Sequence, residues 1–307
     1  MKILLLGANG QVGHALRQSL TPLGDVIAAT RSGSLEDCTP CEKADLDERD
    51  FAQPLLDRLA PDVVINAAAY TAVDKAEDEP EAAFRANAHA PRELALACLK
   101  RDALLVHYST DYVFDGGGTR AYREDDPTAP LGVYGASKLA GEQAIQASGC
   151  RHMIFRTAWV YGDYGHNFMR TMLRLAAERD TLGVVADQFG TPTPATLIAR
   201  ITAAALGYGL GSSGLWHLTA TGSTSWHGFA EAIFSEARAA GLIRSVPCVS
   251  PLATAQYPTR AARPRYSCLD TATLRSTFGV VLPDWRQALA GVLTNPPVRA
   301  ALAGRSS

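Results

Sequence analysis

The apolar run Lys2 to Leu6 ends directly on Gly7-Ala8-Asn9-Gly10-Gln11-Val12-Gly13, and this junction constrains the chain more than any other feature. A short, continuous apolar run is what a strand buried on both faces requires. Three glycines at its end allow a sharp turn, a close approach of backbone to a diphosphate, and tight packing of helix on strand. The helix starting near Val12 then points unpaired N–H groups and the positive end of its dipole at the anion. Glycines also mark ordinary turns. It is the position of this triplet at the first strand–helix junction that predicts a dinucleotide loop contacted by Gly7, Gly10, Gln11, Val12 and Gly13.

The rest of the first half agrees. Strand signals at Asp25 to Thr30, Val63 to Asn66, Ala103 to Ser109 and His152 to Thr157 alternate with helical spacing. The helical runs are Val12 to Leu20, Phe51 to Leu59, Glu81 to Lys100 (kinked or restarted at Pro91) and Tyr134 to Ser148. Such alternation predicts an α/β protein with a Rossmann-type doubly wound parallel sheet. Beyond Tyr161 the pattern loosens. Phe168 to Glu178 and Phe229 to Ala240 read as helices, Gly190 to Pro194 as a rigid loop, and Leu215 to Thr219 as a strand returning to the main sheet. Pro247 to Pro264 reads as irregular. The expected division is a dinucleotide-binding domain of residues 1–160 plus about 190–222, a smaller discontinuous substrate-binding lobe of about 161–189 plus 223–295, and a tail of 296–307.

A net charge of -2 offers no basic footprint for nucleic acid or an anionic membrane, so an anionic ligand must be held by local features. No stretch approaches the roughly 18 to 20 apolar residues of a membrane span, and the N-terminal run is too short for a secretory signal. The expectation is a cytoplasmic protein that works on neither nucleic acid nor membrane. Of six cysteines only Cys38 and Cys41 form a C-x-x-C. With no second close pair and no preceding strand, they read as loop residues rather than a zinc half-site or redox pair. The seven histidines show no ligand spacing, so no metal site is expected.

Cofactor type is addressed by the end of the second strand. NAD recognition usually places an acid there to hold the ribose 2′-hydroxyl, whereas this chain has Ala28-Ala29-Thr30-Arg31-Ser32. Arg31 with a nearby hydroxyl suits a 2′-phosphate, which favours NADPH and leaves NADH open; a solvated loop arginine is the alternative. Asp45-Leu46 is a candidate grip for the adenine, or plain surface charge. Ala67, Ala68 and Ala69 follow a strand end and let a cofactor approach the backbone.

Tyr134-Gly135-Ala136-Ser137-Lys138 is a Y-x-x-x-K at helical spacing, which puts both side chains on one face. A free tyrosine, with a pKa near 10, is a poor acid or base at neutral pH, and a neighbouring ammonium brings it towards the working range. Ser109-Thr110-Asp111-Tyr112 follows a predicted strand, where Thr110, rather than Ser109, would polarise a carbonyl oxygen beside the tyrosine. Ser and Thr at a strand end also simply cap turns. The predicted catalytic group is Tyr134, Lys138 and Thr110.

These residues together resemble the extended short-chain dehydrogenase/reductase superfamily. Several runs look closer still to its dTDP-4-dehydrorhamnose reductase family. They are Gly7 to Gly13, Asn66 to Asp74, Ser109 to Gly116, Tyr134 to Glu142, Arg156 to Gly162, Asn167-Phe168, Asp187 to Pro192 and Arg263-Pro264. The resemblance implies NADPH-dependent reduction of the 4-keto group of dTDP-4-dehydro-L-rhamnose, a nucleotide sugar. It also implies a sugar pocket lined by Thr71, Val73, Thr110, Asp111, Tyr112, Tyr134 and Trp159. A flat aromatic face suits the apolar patch of a deoxyhexose, although Trp159 also reads as a core tryptophan. Asn167 and Arg265 would hold the pyrimidine or diphosphate. Some members dimerise around a magnesium ion bound in part by an acid on the first helix. Here that helix reads Gly13-His14-Ala15-Leu16-Arg17-Gln18 without an acid, so no metal is expected and a homodimer stays open. The alternatives are another sugar-nucleotide epimerase, dehydratase or reductase of this fold, or a non-catalytic dinucleotide-binding regulatory subunit.

Overall fold

The structure is a computed structural model describing residues 1–295; the expected tail, 296–307, lies outside the described residues. The chain runs through β1 (Lys2–Leu6), α1 (Gln11–Ser19), β2 (Asp25–Thr30), a two-residue β3 (Glu42–Lys43), α2 (Ala52–Leu59), β4 (Val63–Asn66), the short helices α3 (Val73–Ala76) and α4 (Pro80–Phe84), α5 (Ala90–Arg101), β5 (Leu104–Thr110), α6 (Val133–Ser148) and β6 (His152–Thr157). There follow β7 (Val160–Tyr161), α7 (Phe168–Glu178), β8 (Thr181–Val185), β9 (Phe189–Gly190), β10 (Thr193–Pro194), α8 (Ala195–Tyr208) and β11 (Gly214–His217). The last described elements are β12 (Thr224–Ser225), α9 (Trp226–Ala239), β13 (Cys248–Leu252), α10 (Ala272–Phe278) and α11 (Trp285–Thr294).

Seven strands form one parallel sheet in the order β11-β6-β5-β4-β1-β2-β3. Its central strands alternate between two cores. Ile3, Leu5, Ile65 and Val106 face one cluster with Leu16 of α1 and Ile198 of α8. Leu4, Leu6, Val64 and Leu105 face the other, with Leu56 of α2, Leu94 of α5 and Ile145 of α6. Helices therefore cover both faces, which is why these strands are continuous apolar runs. The predicted doubly wound sheet is present, and β11 is the predicted strand that returns to it.

The helix expected at Glu81 to Lys100 is broken in a specific way. Between α4 and α5 the backbone makes a π turn at Arg85–His89, immediately before Pro91, which sits in the first turn of α5. Proline has no N–H to give to the preceding turn, and a wider turn accommodates its ring. Gly141 of α6 packs on this turn so tightly that a Cβ there would lie 2.1 Å from the Asn87 carbonyl oxygen.

The second half departs from expectation in three places. Pro247 to Pro264 is not wholly irregular, because β13 pairs in parallel with β8 to form a separate two-stranded sheet. The exposed Ser250 and Pro251 hid β13, although proline is tolerated on an edge strand. The rigid loop at Gly190 to Pro194 carries β9, bonded to β12, and β10, bonded to β7. Helices α10 and α11 occupy a stretch for which no element was anticipated.

Candidate active site

Strand β1 lies between β2 and β4, so the direction of winding reverses beside it and a crevice opens at the carboxyl ends of the strands. The glycine loop lies there. Gly7 has φ +76°, and a Cβ on it would come within 2.6 Å of the Ala68 nitrogen. A Cβ on Gly13 would stand 2.1 Å from the Gly7 oxygen. Gly10 is the N-cap of α1 and contributes no side-chain bond to the first-turn N–H groups. Gln11 reaches across to the second half, donating to His166 O (3.3 Å) and accepting from Asn167 Nδ2 (3.0 Å). Val12 is half-buried against the core. Ala67 and Ala68 lie partly covered beside the loop, and Ala69 is exposed.

At the end of β2 the Thr30 hydroxyl accepts from the N–H groups of Gly33 (3.1 Å) and Ser34 (3.2 Å), curling the following loop. Arg31 projects from this loop with its side chain 69% exposed, 3.3 Å from Asp45 Oδ1 and 3.1 Å from Asp47 Oδ2. Carboxylates absent from the local sequence thus arrive from the segment after β3. Leu46 turns its side chain into the core cluster that holds Leu6 and Ala29.

Thr110 ends β5. Its hydroxyl accepts from Tyr112 N (3.2 Å) and donates to Asp111 Oδ1 (3.1 Å). Asp111 is 2% exposed, and its Oδ2 is buried without a hydrogen-bond partner. Burial pushes the Asp111 carboxyl up to about 7, against the opposing bonds to Ser267 and Thr110. Tyr134, on the first turn of α6, meets the Tyr112 ring edge-on at 5.9 Å. Burial raises its phenol to about 12; hydrogen bonding with Thr110 pulls the other way and Asp111 adds to the rise. Lys138 is 2% exposed and gives its ammonium to Tyr108 O (2.6 Å). Burial lowers Lys138 to about 8, with Glu142 opposing. The ammonium was expected to bring the tyrosine down; the groups that set the Tyr134 phenol are instead its burial, Thr110 and Asp111.

Several residues not anticipated from sequence hold α6 in place. Its N-cap, Gly132, has no side chain, and Glu77 supplies the missing acceptor to Val133 N (2.8 Å). Asn87, on the π turn, donates to Ser137 Oγ (3.0 Å) and exchanges two bonds with the Tyr70 backbone (2.9 and 3.0 Å). His107, on β5, stands 3.4 Å from Lys138 Nζ. The available signal was a polar residue inside an apolar run: His107 within Leu104 to Tyr108, and Asn87 among alanines.

The expected sugar-pocket residues are only partly gathered. Val73, Tyr112 and Tyr134 line one small cavity with Leu131, Ala261 and Pro264. Its far wall is tied down by Asp74, which accepts from Arg263 (2.7 Å) and from Ala261 N (3.1 Å). Thr71 lies exposed in the loop before α3. Trp159, with φ +46°, stacks on Trp226 at 3.6 Å and 5°. Asn167 caps α7 through Arg170 N (3.0 Å), and Arg265 O accepts from Phe189 N (2.8 Å). Among the described residues no cluster of three or more His, Cys, Asp or Glu could hold a metal ion, and no helix is long and apolar enough to cross a membrane.

The family model described as the RmlD substrate binding domain matches residues 1–296. A dTDP-4-dehydrorhamnose reductase of Salmonella typhimurium is 46% identical over 302 residues, covering 96% of this chain and 97% of that protein. This chain belongs to the dTDP-4-dehydrorhamnose reductase family. Solved structures of dTDP-4-dehydrorhamnose reductases agree with that membership. One from Clostridium acetobutylicum is 36% identical, with a TM-score of 0.86, over 95% of this chain and 98% of that one. Another, from Bacillus anthracis in complex with NADP, is 36% identical, with a TM-score of 0.86, over 95% and 99%.

Proposed function

We propose that this chain is an NAD(P)H-dependent oxidoreductase that reduces the 4-keto group of dTDP-4-dehydro-L-rhamnose to dTDP-L-rhamnose. NADPH is its reductant. The observation that carries the reading is the buried Tyr134 phenol, protonated at neutral pH, beside Thr110 at the end of β5. Family membership supplies the substrate, and the NADP held by the Bacillus anthracis relative supports the cofactor.

The glycine loop fits a dinucleotide. Side chains are excluded from Gly7 and Gly13 by backbone contacts, and the uncapped first turn of α1 leaves N–H groups for a diphosphate. Gly7, Gly10, Gln11, Val12, Gly13 and Ala67 to Ala69 would hold it there, with Arg31 at the 2′-phosphate and Asp45 and Leu46 beside the adenine. The nicotinamide supplies the hydride when bound. Tyr134 gives the phenol proton to the oxygen that becomes the alkoxide, so the carbonyl gains one hydride and one proton. Thr110 hydrogen-bonds the same oxygen, and Lys138 holds the ribose and tunes Tyr134. Thr71, Val73, Asp111, Tyr112 and Trp159 orient the sugar, and Asn167 and Arg265 the nucleotide.

The test is NADPH oxidation with and without dTDP-4-dehydro-L-rhamnose. Oxidation indifferent to the keto-sugar sinks the substrate assignment. Tyr134→Phe should lose on the order of 100-fold or more in kcat while still binding NADPH; near-normal turnover removes Tyr134 as donor. The sequence domain boundaries, a homodimer and residence in the cytoplasm are further proposals, tested by limited proteolysis, sedimentation velocity and fractionation.

A further inference from the structure

We propose that His107 is a positioning residue for Lys138: its neutral imidazole carries the proton on Nε2 and presents that N–H to the lysine amine. The proposal rests on the reading of Tyr134 and Lys138 given above.

His107 is 1% exposed in a strand whose other residues are apolar up to Tyr108, a position where an aliphatic side chain would pack without cost. A polar group there must be bonded. In the parallel pairing of β4 with β5, His107 stands opposite Asn66. Asn66 Oδ1 accepts from Ala68 N (3.2 Å), which fixes the orientation of the amide. Its Nδ2 is then the atom 3.2 Å from His107 Nδ1. An amide nitrogen only donates, so Nδ1 accepts and the ring proton sits on Nε2. Nε2 is 3.4 Å from Lys138 Nζ.

Lys138 therefore faces an acceptor, Tyr108 O, and a donor, His107 Nε2–H. An ammonium satisfies the first and is repelled by the second; a neutral amine satisfies both. The remaining charged neighbour is Glu142, one turn along α6, whose carboxylate is held by Arg156 at 2.7 Å. His107 itself is kept neutral, its pKa held well below the ordinary range by burial and then by Lys138. The path Ala68–Asn66–His107–Lys138 thus joins the loop after β4 to the catalytic helix through hydrogen bonds. It sets where the lysine nitrogen sits and makes the ammonium proton easier to lose.

Nitrogen NMR of the holoenzyme labelled at histidine, with His107→Gln used for assignment, reads the ring directly. A neutral Nε2–H tautomer that does not titrate down to pH 5.5 is expected. An Nδ1–H tautomer, or titration near the ordinary value, overturns the proposal. Two variants read the effect on Lys138. Gln places an amide nitrogen where Nε2 stood, whereas Asn reaches only the Nδ1 position. His107→Asn should move the alkaline limb of kcat/KM for the keto-sugar up by about one pH unit, the size of one hydrogen bond. His107→Gln should restore the limb. Equal loss in both variants with an unmoved limb means a packing role only and refutes the proposal. If His107→Asn does not fold, the tautomer in the unmodified protein still decides. Failure of the catalytic reading would appear separately, as turnover retained by Tyr134→Phe.

Discussion

Tyr134 keeps its proton because the phenolate would be stranded among Tyr112, Asp111 and the wall of the crevice, and not because the phenol is poorly bonded. A group in that condition delivers a proton only as negative charge builds on the oxygen beside it, which suits reduction. Arg31 is the opposite kind of residue. Its pairs with Asp45 and Asp47 are largely solvated, and such pairs contribute little, so the guanidinium is free to exchange partners. A 2′-phosphate offers it a stronger, charge-assisted bond. Arg31→Ala should therefore raise the KM for NADPH by roughly 10- to 100-fold, the scale of one or two bonds to a charged group. The KM for NADH should hardly change. An equal rise for both coenzymes would show that Arg31 does not read the phosphate.

At the level of elements, the π turn at Arg85–His89 is the joint on which the catalytic helix rests. It carries Asn87 to both Ser137 and the Tyr70 backbone, so the loop after β4 and α6 share one anchor. Gly141→Ala would push a methyl into the Asn87 carbonyl and force the two elements apart. Overpacking of this kind costs about 1 to 3 kcal/mol. Urea unfolding should register that loss, with kcat reduced by displacement of α6; stability unchanged within about 0.5 kcal/mol would mean the joint is soft. The same comparison shows what a sequence can carry. Strands β4 and β6 and helix α7 begin and end where periodicity puts them, because one or both of their faces are buried throughout. Two-residue strands and β13, with its exposed proline, leave no such period. Likewise Tyr134 and Lys138 are readable because one helical turn relates them. The contact of His107 with Asn66 depends on the register of two strands 41 residues apart, and no local spacing records it.

The whole molecule should be sensitive to acid. Burial, with Arg156 next, lowers His217 from its ordinary 6.5 to about 3, and His107 is held well below the same value. Below pH 6.5 the unfolded chain protonates both rings and the folded chain does not, so stability falls as pH falls. Asp111, raised from 3.8 to about 7, acts in the opposite sense: folding binds its proton, and stability falls as pH rises through that window. The two histidines, with carboxylates such as Glu42 and Asp126 that arginines hold below their ordinary values, outweigh the one raised carboxyl, so unfolding takes up protons on acidification. Thermal melts at pH 6.5, 5.5 and 4.5 check this, and a Tm constant across them would contradict it.

The seventh strand has a consequence for how the chain is made. Six strands of the parallel sheet have left the ribosome once Thr157 has emerged, yet β11, the only partner for the outer edge of β6 among the described residues, begins at Gly214. Until then the nascent chain carries an unpaired strand edge in which Met153, Ile154 and Phe155 are all residues buried in the finished protein. Such an edge is a template for pairing with other chains. Truncation near residue 160, although it retains Gly7, Gly10 and Gly13 and the Tyr134–Lys138 pair, should therefore yield an aggregate rather than a small cofactor-binding module.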